Sequence, residues 1–164
     1  MVYLSLGTNI GDKSRNLEIA VSEIERQIGK VVSQSAFLCT EPWGFESENS
    51  FLNACIGVDT TLSPIQLLNR CQKIEKEMGR REKSGVVESK DGQKIHVYHD
   101  RIIDIDILLY DELEIRNPRL TIPHPMMHLR RFVLEPLDQI AHEVKIPGTD
   151  MSVGEMLSTL PADS

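Results

Sequence analysis

Apolar residues spaced three or four positions apart predict an amphipathic helix near the start of the chain. The stripe consists of Leu17, Ala20, Val21, Ile24 and Ile28. This spacing places the side chains on one face of a helix, which then packs against a core. Gly29 follows the stripe and is expected to end the helix, because glycine favours the backbone conformation of a C-terminal cap.

A second helix has the clearest start signal in the sequence. Ser63 is placed as an N-cap, Pro64 takes the first helical position, and Gln66 completes a capping box. The apolar stripe that follows consists of Leu67, Cys71, Ile74 and Met78. Gly79 comes directly after this stripe and is expected to end the helix.

Four apolar, β-prone runs predict strands, at residues 2–6, 31–38, 51–59 and 102–110. With the two helices they give the order strand, helix, strand, strand, helix, strand. We therefore predict an α+β fold, a ferredoxin-like βαββαβ sandwich with a four-stranded antiparallel core sheet and both helices on one face. The other face is left for loops, the tail or a ligand. The proline-rich remainder predicts an irregular C-terminal extension, with short helical stretches only at residues 126–132 and 151–160.

Length and charge restrict the class of protein. At 164 residues the chain is expected to form one domain over residues 1–164. Its net charge of -7 repels phosphate backbones, so we expect no nucleic-acid partner. No run approaches the roughly 20 apolar residues that cross a membrane, and no signal-peptide pattern is seen, so we expect a cytoplasmic protein. Three cysteines without close pairing predict buried free thiols rather than disulfides or a zinc site.

The strongest chemical signal is a pair of aspartates in the fourth predicted strand. Because side chains alternate along a strand, Asp104 and Asp106 point the same way, with Cα atoms about 6.5–7 Å apart. The opposite side of this strand, toward the helices, carries Ile103, Ile105, Ile107 and Leu109. Two repelling carboxylates on a strand indicate a hard divalent cation, and magnesium prefers oxygen ligands shared with substrate phosphates. The alternative is a solvated polar face on an edge strand.

Further side chains suit a phosphorylated ligand. Arginines cluster in the second half of this acidic chain: Arg80, Arg81, Arg101, Arg119, Arg130 and Arg131. Their planar guanidinium groups match phosphate oxygens. Gln72 and Glu75 share one face of the second helix, and His124 lies in an extended loop between two prolines. The alternatives are surface arginines, a solvated helix face and an incidental loop histidine.

Aromatic residues predict a slot for a flat heterocycle. The candidates are Trp43, Phe45, Phe51 and Phe132. Ordinary core packing is the alternative, and it is favoured for Phe45. The polar segment over residues 81–100 has Asp91-Gly92 between two apolar runs, which predicts a hairpin within a mobile active-site loop.

Short motifs follow one another over nearly the whole chain, and their order and spacing are specific. They are Leu6-Gly7-Thr8-Asn9-Ile10-Gly11-Asp12, Thr40-Glu41-Pro42-Trp43-Gly44, Phe51-Leu52-Asn53-Ala54, Gln72-Lys73-Ile74-Glu75, Gly79-Arg80, Arg101-Ile102-Ile103-Asp104-Ile105-Asp106 and Leu120-Thr121-Ile122-Pro123-His124-Pro125. In these motifs the chain resembles the 6-hydroxymethyl-7,8-dihydropterin pyrophosphokinase family. That family has a ferredoxin-like fold and moves the terminal two phosphates of ATP onto the hydroxymethyl group of a dihydropterin.

The resemblance implies a role for individual residues. Asp104 and Asp106 would hold two Mg²⁺ ions, with ATP as co-substrate, and Arg80 and Arg101 would be catalytic, closing over the phosphates. The pterin would contact Thr40, Trp43, Asn53 and Phe132. The nucleotide would contact Gln72, Glu75, Tyr98, Ile107, Arg119, Thr121, His124 and Arg130.

The chain departs from the family pattern just before Arg101, where Tyr98-His99-Asp100 replaces a Trp-Gly-Pro stretch. Two other functions stay open. A small-molecule-binding regulatory module uses the same fold class, and a metal-dependent phosphohydrolase would use the same aspartates with water as the nucleophile. We expect small-molecule substrates, no membrane partner and a monomer.

Overall fold

The computed structural model describes residues 1–40, 50–81, 86–88, 94–96 and 102–161, and the side chains of residues 1–40, 50–79 and 102–161. The strands are β1 (Val2–Thr8), β2 (Gly29–Gln34), β3 (Leu38–Thr40), β4 (Phe51–Thr60), β5 (Val86–Glu88), β6 (Lys94–His96), β7 (Asp104–Tyr110), β8 (Ile115–Arg116) and β9 (Thr121–Ile122). The helices are α1 (Lys13–Gln27), α2 (Pro64–Arg81), α3 (Arg131–Ala141) and α4 (Val153–Ser158), with a 3₁₀ helix over Met127–Leu129.

The central sheet has the strand order β2-β4-β1-β7, and each neighbouring pair is antiparallel. This is the order of a ferredoxin-like sandwich, so the predicted fold class is confirmed. The second predicted strand, over residues 31–38, is divided into β2 and β3, and both pair with β4. The division occurs at Ser35, whose Oγ accepts a hydrogen bond from the Cys55 N–H and replaces a backbone acceptor of the ladder.

The main core lies between the sheet and the helices α1 and α2, as predicted. The fully buried side chains contributed by the two helices are Leu17, Ala20, Ile24, Leu67 and Ile74. Of the three cysteines, Cys55 and Cys71 are buried free thiols, whereas Cys39 is exposed, contrary to the prediction. Among the described residues, no helix is long and apolar enough to cross a membrane.

Gly29 lies just past the end of α1, as predicted but for a different reason, whereas the prediction that Gly79 ends α2 was wrong. Helix α1 ends at Gln27, and Gly29 begins β2, where a Cβ would lie 2.1 Å from the Asp59 carbonyl oxygen. The glycine is therefore required by the close approach of β4 rather than by the helix end. The capping box of α2 is present, with Ser63 Oγ and Gln66 Oε1 accepting from each other's backbone N–H. Helix α2 nevertheless continues past Gly79 to Arg81.

The C-terminal part is more regular than predicted, and it covers part of the second sheet face. Helix α3 has 11 residues, with Pro136 inside it. The sequence prediction missed it because proline normally interrupts a helix, yet the apolar stripe continues on both sides. The second core is formed by Cys55, Leu108, Leu109, Met127, Val133, Leu134, Leu137, Ala141, Ile146, Val153 and Met156.

A bulge in β7 changes which way its last residues point. Leu4 pairs with Ile107 and Tyr3 pairs with Leu109, so Leu108 is an extra residue between them. Beyond this point the alternation shifts, and Leu109 packs in the second core instead of toward α1 and α2 as predicted. In the segment between α2 and β7, the predicted hairpin is confirmed, since β5 and β6 pair antiparallel with Val87 opposite Ile95. Its mobility stays a prediction.

Candidate active site

Asp104 and Asp106 lie on one face of β7, at the edge of the central sheet. Ile105 and Ile107 are buried in the main core on the other face. Asp106 is exposed, and Asp104 is half-buried. In the part of the chain with described side chains, no group of three or more His, Cys, Asp or Glu residues is placed to hold a metal ion. Within the described side chains, this face of β7 offers the two carboxylates, and magnesium commonly takes one or two when phosphates complete its shell.

Among the described side chains, Glu75 adds a further carboxylate close to this pair. Burial raises the pKa of the Cys71 thiol to about 12, and the carboxylates of Glu75 and Asp106 add to the rise. Glu75 Oε2 also accepts a 2.8 Å hydrogen bond from the backbone N–H of Ile105, the residue between the two aspartates. A divalent cation is stabilised by such a field and by oxygen donors, so the residues present fit magnesium.

A row of paired residues across three strands connects Asp104 with Asn53, one of the residues predicted to contact the pterin. Gly7 of β1 pairs with Asn53 on β4 and with Asp104 on β7. Directly opposed residues of an antiparallel sheet point to the same face, and strands are about 4.8 Å apart, so the Cα atoms of Asn53 and Asp104 are separated by roughly 10 Å. Gly7 leaves the middle of this row without a side chain.

The amide of Asn53 is held in one orientation. Its side chain is only 4% exposed, and its Nδ2 donates a 2.9 Å hydrogen bond to Thr40 Oγ1. The Oδ1 atom lies on the Gly7 side, 3.0 Å from where a Cβ on that glycine would be. Thr40 therefore directs the acceptor end of Asn53 toward Gly7, the residue of the row that has no side chain.

An open pocket of about 250 Å³ lies beside Asp106, between α2, the β7 edge and the segment that follows β8. Its lining brings together four of the predicted nucleotide residues, namely Ile107, Arg119, Thr121 and His124. The other lining residues are Leu68, Ile105, Asp106, Asn117, Pro118, Leu120 and Pro125. Gln72 is exposed on α2 and does not line this pocket.

The segment that forms the far wall of the pocket is shaped by a turn that the sequence reasoning missed. Asn117 Oδ1 accepts hydrogen bonds from the backbone N–H groups of Arg119 and Leu120, at 2.9 Å each. The Arg119 guanidinium donates to Asn69 Oδ1 of α2 at 2.6 Å. The signal was present as Asn117-Pro118, a pair that favours turns. A cis peptide bond joins Ile122 and Pro123 in the same segment.

His124 lines the pocket and is oriented by two contacts with the backbone. Its backbone N–H donates to the Leu108 carbonyl, and its Nδ1 accepts from the Met126 N–H at 3.2 Å. Burial lowers the pKa of His124; the Asp106 carboxylate opposes this shift, and the Arg130 guanidinium adds to it. The neutral ring with Nε2 protonated fits these contacts, and it presents an N–H donor.

The beginning of α3 carries two of the predicted substrate residues. Arg130 is the N-cap residue, and its guanidinium carbon is 5.7 Å from the centroid of the Phe132 ring, which is a cation–π contact. Phe132 is 40% exposed. Of the remaining predicted residues, Trp43, Tyr98 and Arg101 lie outside the described residues, as does the side chain of Arg80.

Comparison with known proteins gives consistent matches over this chain. The family model described as 7,8-dihydro-6-hydroxymethylpterin-pyrophosphokinase (HPPK) matches residues 3–142. A 2-amino-4-hydroxy-6-hydroxymethyldihydropteridine pyrophosphokinase of Porphyromonas gingivalis is 43% identical over 142 residues, which cover 86% of this chain and 90% of that protein. A protein of the same name from Methylorubrum extorquens is 40% identical over 159 residues, covering 96% and 92%.

A solved structure agrees with the fold. The crystal structure of wild-type Plasmodium falciparum HPPK-DHPS with pteroate matches with a TM-score of 0.71 at 16% identity, over 96% of this chain and 41% of that one. At this identity the likeness concerns the fold alone, and this chain spans less than half of that longer protein. The family match and the two bacterial relatives show that the chain belongs to the 7,8-dihydro-6-hydroxymethylpterin-pyrophosphokinase family.

Proposed function

We propose that the row of Asn53, Gly7 and Asp104 is the place where this enzyme joins its two substrates. As a member of its family the protein is a diphosphotransferase, which moves pyrophosphate from ATP to 6-hydroxymethyl-7,8-dihydropterin in folate synthesis. The single observation that supports the location is the shared pairing of Asn53 and Asp104 with Gly7. A hydrogen-bonding amide and a carboxylate stand at the two ends, and Gly7, which has no side chain, lies between them.

Asp104 and Asp106 would hold magnesium, and two ions are expected. When bound, magnesium neutralises the phosphate charges of ATP. The two carboxylates fix where the polyphosphate lies, because β7 is anchored on one side by β1 and on the other by Glu75. This anchoring supplies positioning, which is the main source of rate in phosphoryl-type transfer.

The nucleotide would occupy the pocket beside Asp106. Thr121 and Arg119 line its outer wall, and His124 offers a donor to a phosphate oxygen. Glu75 and Gln72 of α2, together with Arg130, complete the nucleotide residues implied by the family. Tyr98 is proposed to contact the nucleotide, with Arg80 and Arg101 as catalytic cations over the phosphates.

The pterin would bind at the other end of the row. A pterin ring presents a fixed edge of donors and acceptors, which the oriented amide of Asn53 can match. Thr40 supports that amide, while Phe132 and Trp43 are proposed to stack on the ring. The hydroxymethyl oxygen then forms a bond to the β-phosphorus, the bond from that phosphorus to the bridging oxygen of AMP breaks, and the hydroxyl proton is released.

Product analysis tests this function against the alternatives. The protein is incubated with ATP and magnesium, with and without the hydroxymethyl-dihydropterin. AMP and the pterin diphosphate are expected only when the pterin is present. Phosphate release without the pterin would instead support a phosphohydrolase, and binding without turnover would support a regulatory module. Light scattering and cell fractionation would test the proposed monomer and cytoplasmic location.

Two substitutions test the metal assignment within the same assay. Asp104→Asn and Asp106→Asn should each lower turnover by about 100-fold or more, because the polyphosphate loses its anchor. Since Asp106 is exposed, its substitution should change the free energy of unfolding by only about 0.5 kcal/mol. Asp59→Asn is the matched control, an exposed aspartate on β4. Near-normal turnover of either site variant at low magnesium would contradict the assignment.

A further inference from the structure

The side chain of Arg131 joins the start of α3 to the end of the described chain. Its Nη2 donates to the carbonyl oxygens of Leu160 and Pro161 at 3.2 and 3.0 Å, and its Nε donates to Pro161 at 3.3 Å. Its Nη1 donates to Glu135 at 3.1 Å. The side chain is only 24% exposed. Four hydrogen bonds therefore fix one guanidinium group between two elements.

The C-terminal segment that Arg131 contacts packs against the second core through α4 and Leu160. Helix α4 begins with a complete capping box between Ser152 and Glu155. Val153 and Met156 are buried in the second core, and Leu160 packs against the same core. Of the two residues whose carbonyl groups accept from Arg131, Leu160 is therefore held by the core, and Pro161 follows it directly as an exposed residue.

The residues on either side of Arg131 are the two that the proposed function assigns to different substrates. Arg130 lies close enough to His124 to lower the pKa of that histidine, and its guanidinium also lies over the Phe132 ring. Arg130 thus connects the nucleotide pocket with the aromatic ring proposed for the pterin. Arg130 is the N-cap of α3 and Phe132 lies in its first turn, so the position of this turn determines where both side chains lie.

We propose that Arg131 is a positioning residue for substrate binding, and that the C-terminal segment over residues 153–161 serves as its anchor. By bonding to the carbonyls of Leu160 and Pro161, it fixes the first turn of α3 so that Phe132 presents its ring to the pterin. This inference rests on the proposed function, because it assumes that Phe132 contacts the pterin. It assigns a role in binding to a part of the chain that lies outside the proposed substrate contacts.

A double-mutant cycle between Arg131 and Phe132 tests the proposal. Affinity for the pterin is measured by calorimetry with magnesium and a non-hydrolysable ATP analogue present. Arg131→Met keeps the apolar stem and removes every donor, and it should weaken pterin binding by about fivefold with kcat within about twofold. In a Phe132→Ala background, the same substitution should leave pterin affinity within about twofold, since the residue through which it acts is gone.

Two control variants separate positioning from general destabilisation. Glu135→Gln removes the ion pair but keeps the carbonyl contacts, so pterin affinity should stay unchanged. Arg26→Met removes an exposed arginine that pairs with Glu23 on α1, and it should also have no effect. If Arg131→Met does not fold, Arg131→Lys replaces it, with an expected weakening of about fourfold that falls within about twofold in the Phe132→Ala background.

An equal loss of pterin affinity in both backgrounds, or no loss in either, would overturn the proposal. Such a result would leave the activity itself untouched, because AMP production by the wild-type enzyme is measured separately. Conversely, a wild-type protein that forms no pterin diphosphate would contradict the proposed function, whatever the cycle shows.

Discussion

The carboxylate of Glu75 accepts a hydrogen bond from the backbone N–H of Ile105, which separates Asp104 from Asp106. This N–H lies on the edge of β7 and is therefore satisfied by helix α2 instead of by another strand. The family resemblance implies that Glu75 contacts ATP. The observed hydrogen bond shows that Glu75 also holds the strand segment that carries both aspartates.

Substitutions at Glu75 should distinguish its acceptor from its charge. Glu75→Leu leaves the Ile105 N–H without this partner and should lower the free energy of unfolding by about 1.5–3 kcal/mol. Turnover should fall about tenfold or more because the aspartates lose their support. Glu75→Gln retains an acceptor oxygen, so its losses of stability and of turnover should both be smaller. Steady-state kinetics over a magnesium series and thermal unfolding would measure these effects; equal losses in the two variants would show that charge, not the bond, matters.

Gly7 should be required for pterin binding because it leaves the row between Asn53 and Asp104 open. In Gly7→Ala the new Cβ would lie 3.0 Å from Asn53 Oδ1 and would enter the space proposed for the substrate. Pterin affinity should fall at least about tenfold while ATP affinity is retained, since the methyl group would crowd Asn53 Oδ1 and the bound pterin. Calorimetry with each ligand separately would check this.

Gly79 provides the matched control for that substitution. Among the described residues a Cβ at Gly79 would meet nothing within 4 Å, and Gly79 lies inside α2. Gly79→Ala should therefore stabilise the protein by about 0.5–1 kcal/mol through helix propensity. It should leave pterin affinity unchanged. A loss of pterin binding in Gly79→Ala as large as in Gly7→Ala would contradict the local explanation.

Thr40 should affect the pterin only through Asn53. Asn53→Ala should weaken pterin binding by about 1–3 kcal/mol and leave ATP binding nearly intact. Thr40→Val removes the acceptor of Asn53 Nδ2 and should produce a smaller loss of the same kind. In the Asn53→Ala background, Thr40→Val should cause almost no further loss of pterin affinity. If both ligands weaken equally in Asn53→Ala, this residue does not belong to the pterin end.

His124 should make folding sensitive to mild acid. Its pKa in the folded protein is lowered by burial, whereas in the unfolded chain it is about 6.5. As pH falls below about 6.5 the unfolded state takes up a proton before the folded state does, so stability is lost. Above that pH both states are neutral and the penalty is absent.

The measurement is the free energy of unfolding at pH 7 and pH 5 in metal-free protein. Wild type should lose more stability over this interval than His124→Gln, which cannot be protonated. The other four histidines are common to both proteins and cancel in the difference. An identical pH dependence in the two proteins would show that His124 is protonated as readily in the folded state as in the unfolded one.

The order of the main elements was predictable from the sequence because each is specified locally. The Ser63–Gln66 capping box acts over a few residues, and so do the two apolar stripes. The capping box and both stripes are present in the structure. The errors concern features decided by distant contacts. Gly29 is required by the close approach of β4, which lies far along the chain. Helix α3 is stabilised by a second core whose other residues come from distant parts of the sequence.

The site was predictable in part for the same reason. The common face of Asp104 and Asp106 follows from strand alternation within three residues. The row that connects Asp104 with Asn53 depends on the pairing register of three strands, which no local pattern fixes. Likewise, the bond from Ile105 to Glu75 spans 30 residues of sequence and required the tertiary structure to be seen.

The bulge at Leu108 has a consequence for how this sheet can be altered. It divides β7 into an N-terminal half that carries the carboxylates and a C-terminal half that packs under α3. The register of each half is fixed by its own contacts with β1, so repacking beyond Leu108 does not rotate the aspartates. Redesign of the second core around Leu108 and Leu109 should therefore preserve the spacing of Asp104 and Asp106, as long as the first turn of α3 keeps its place.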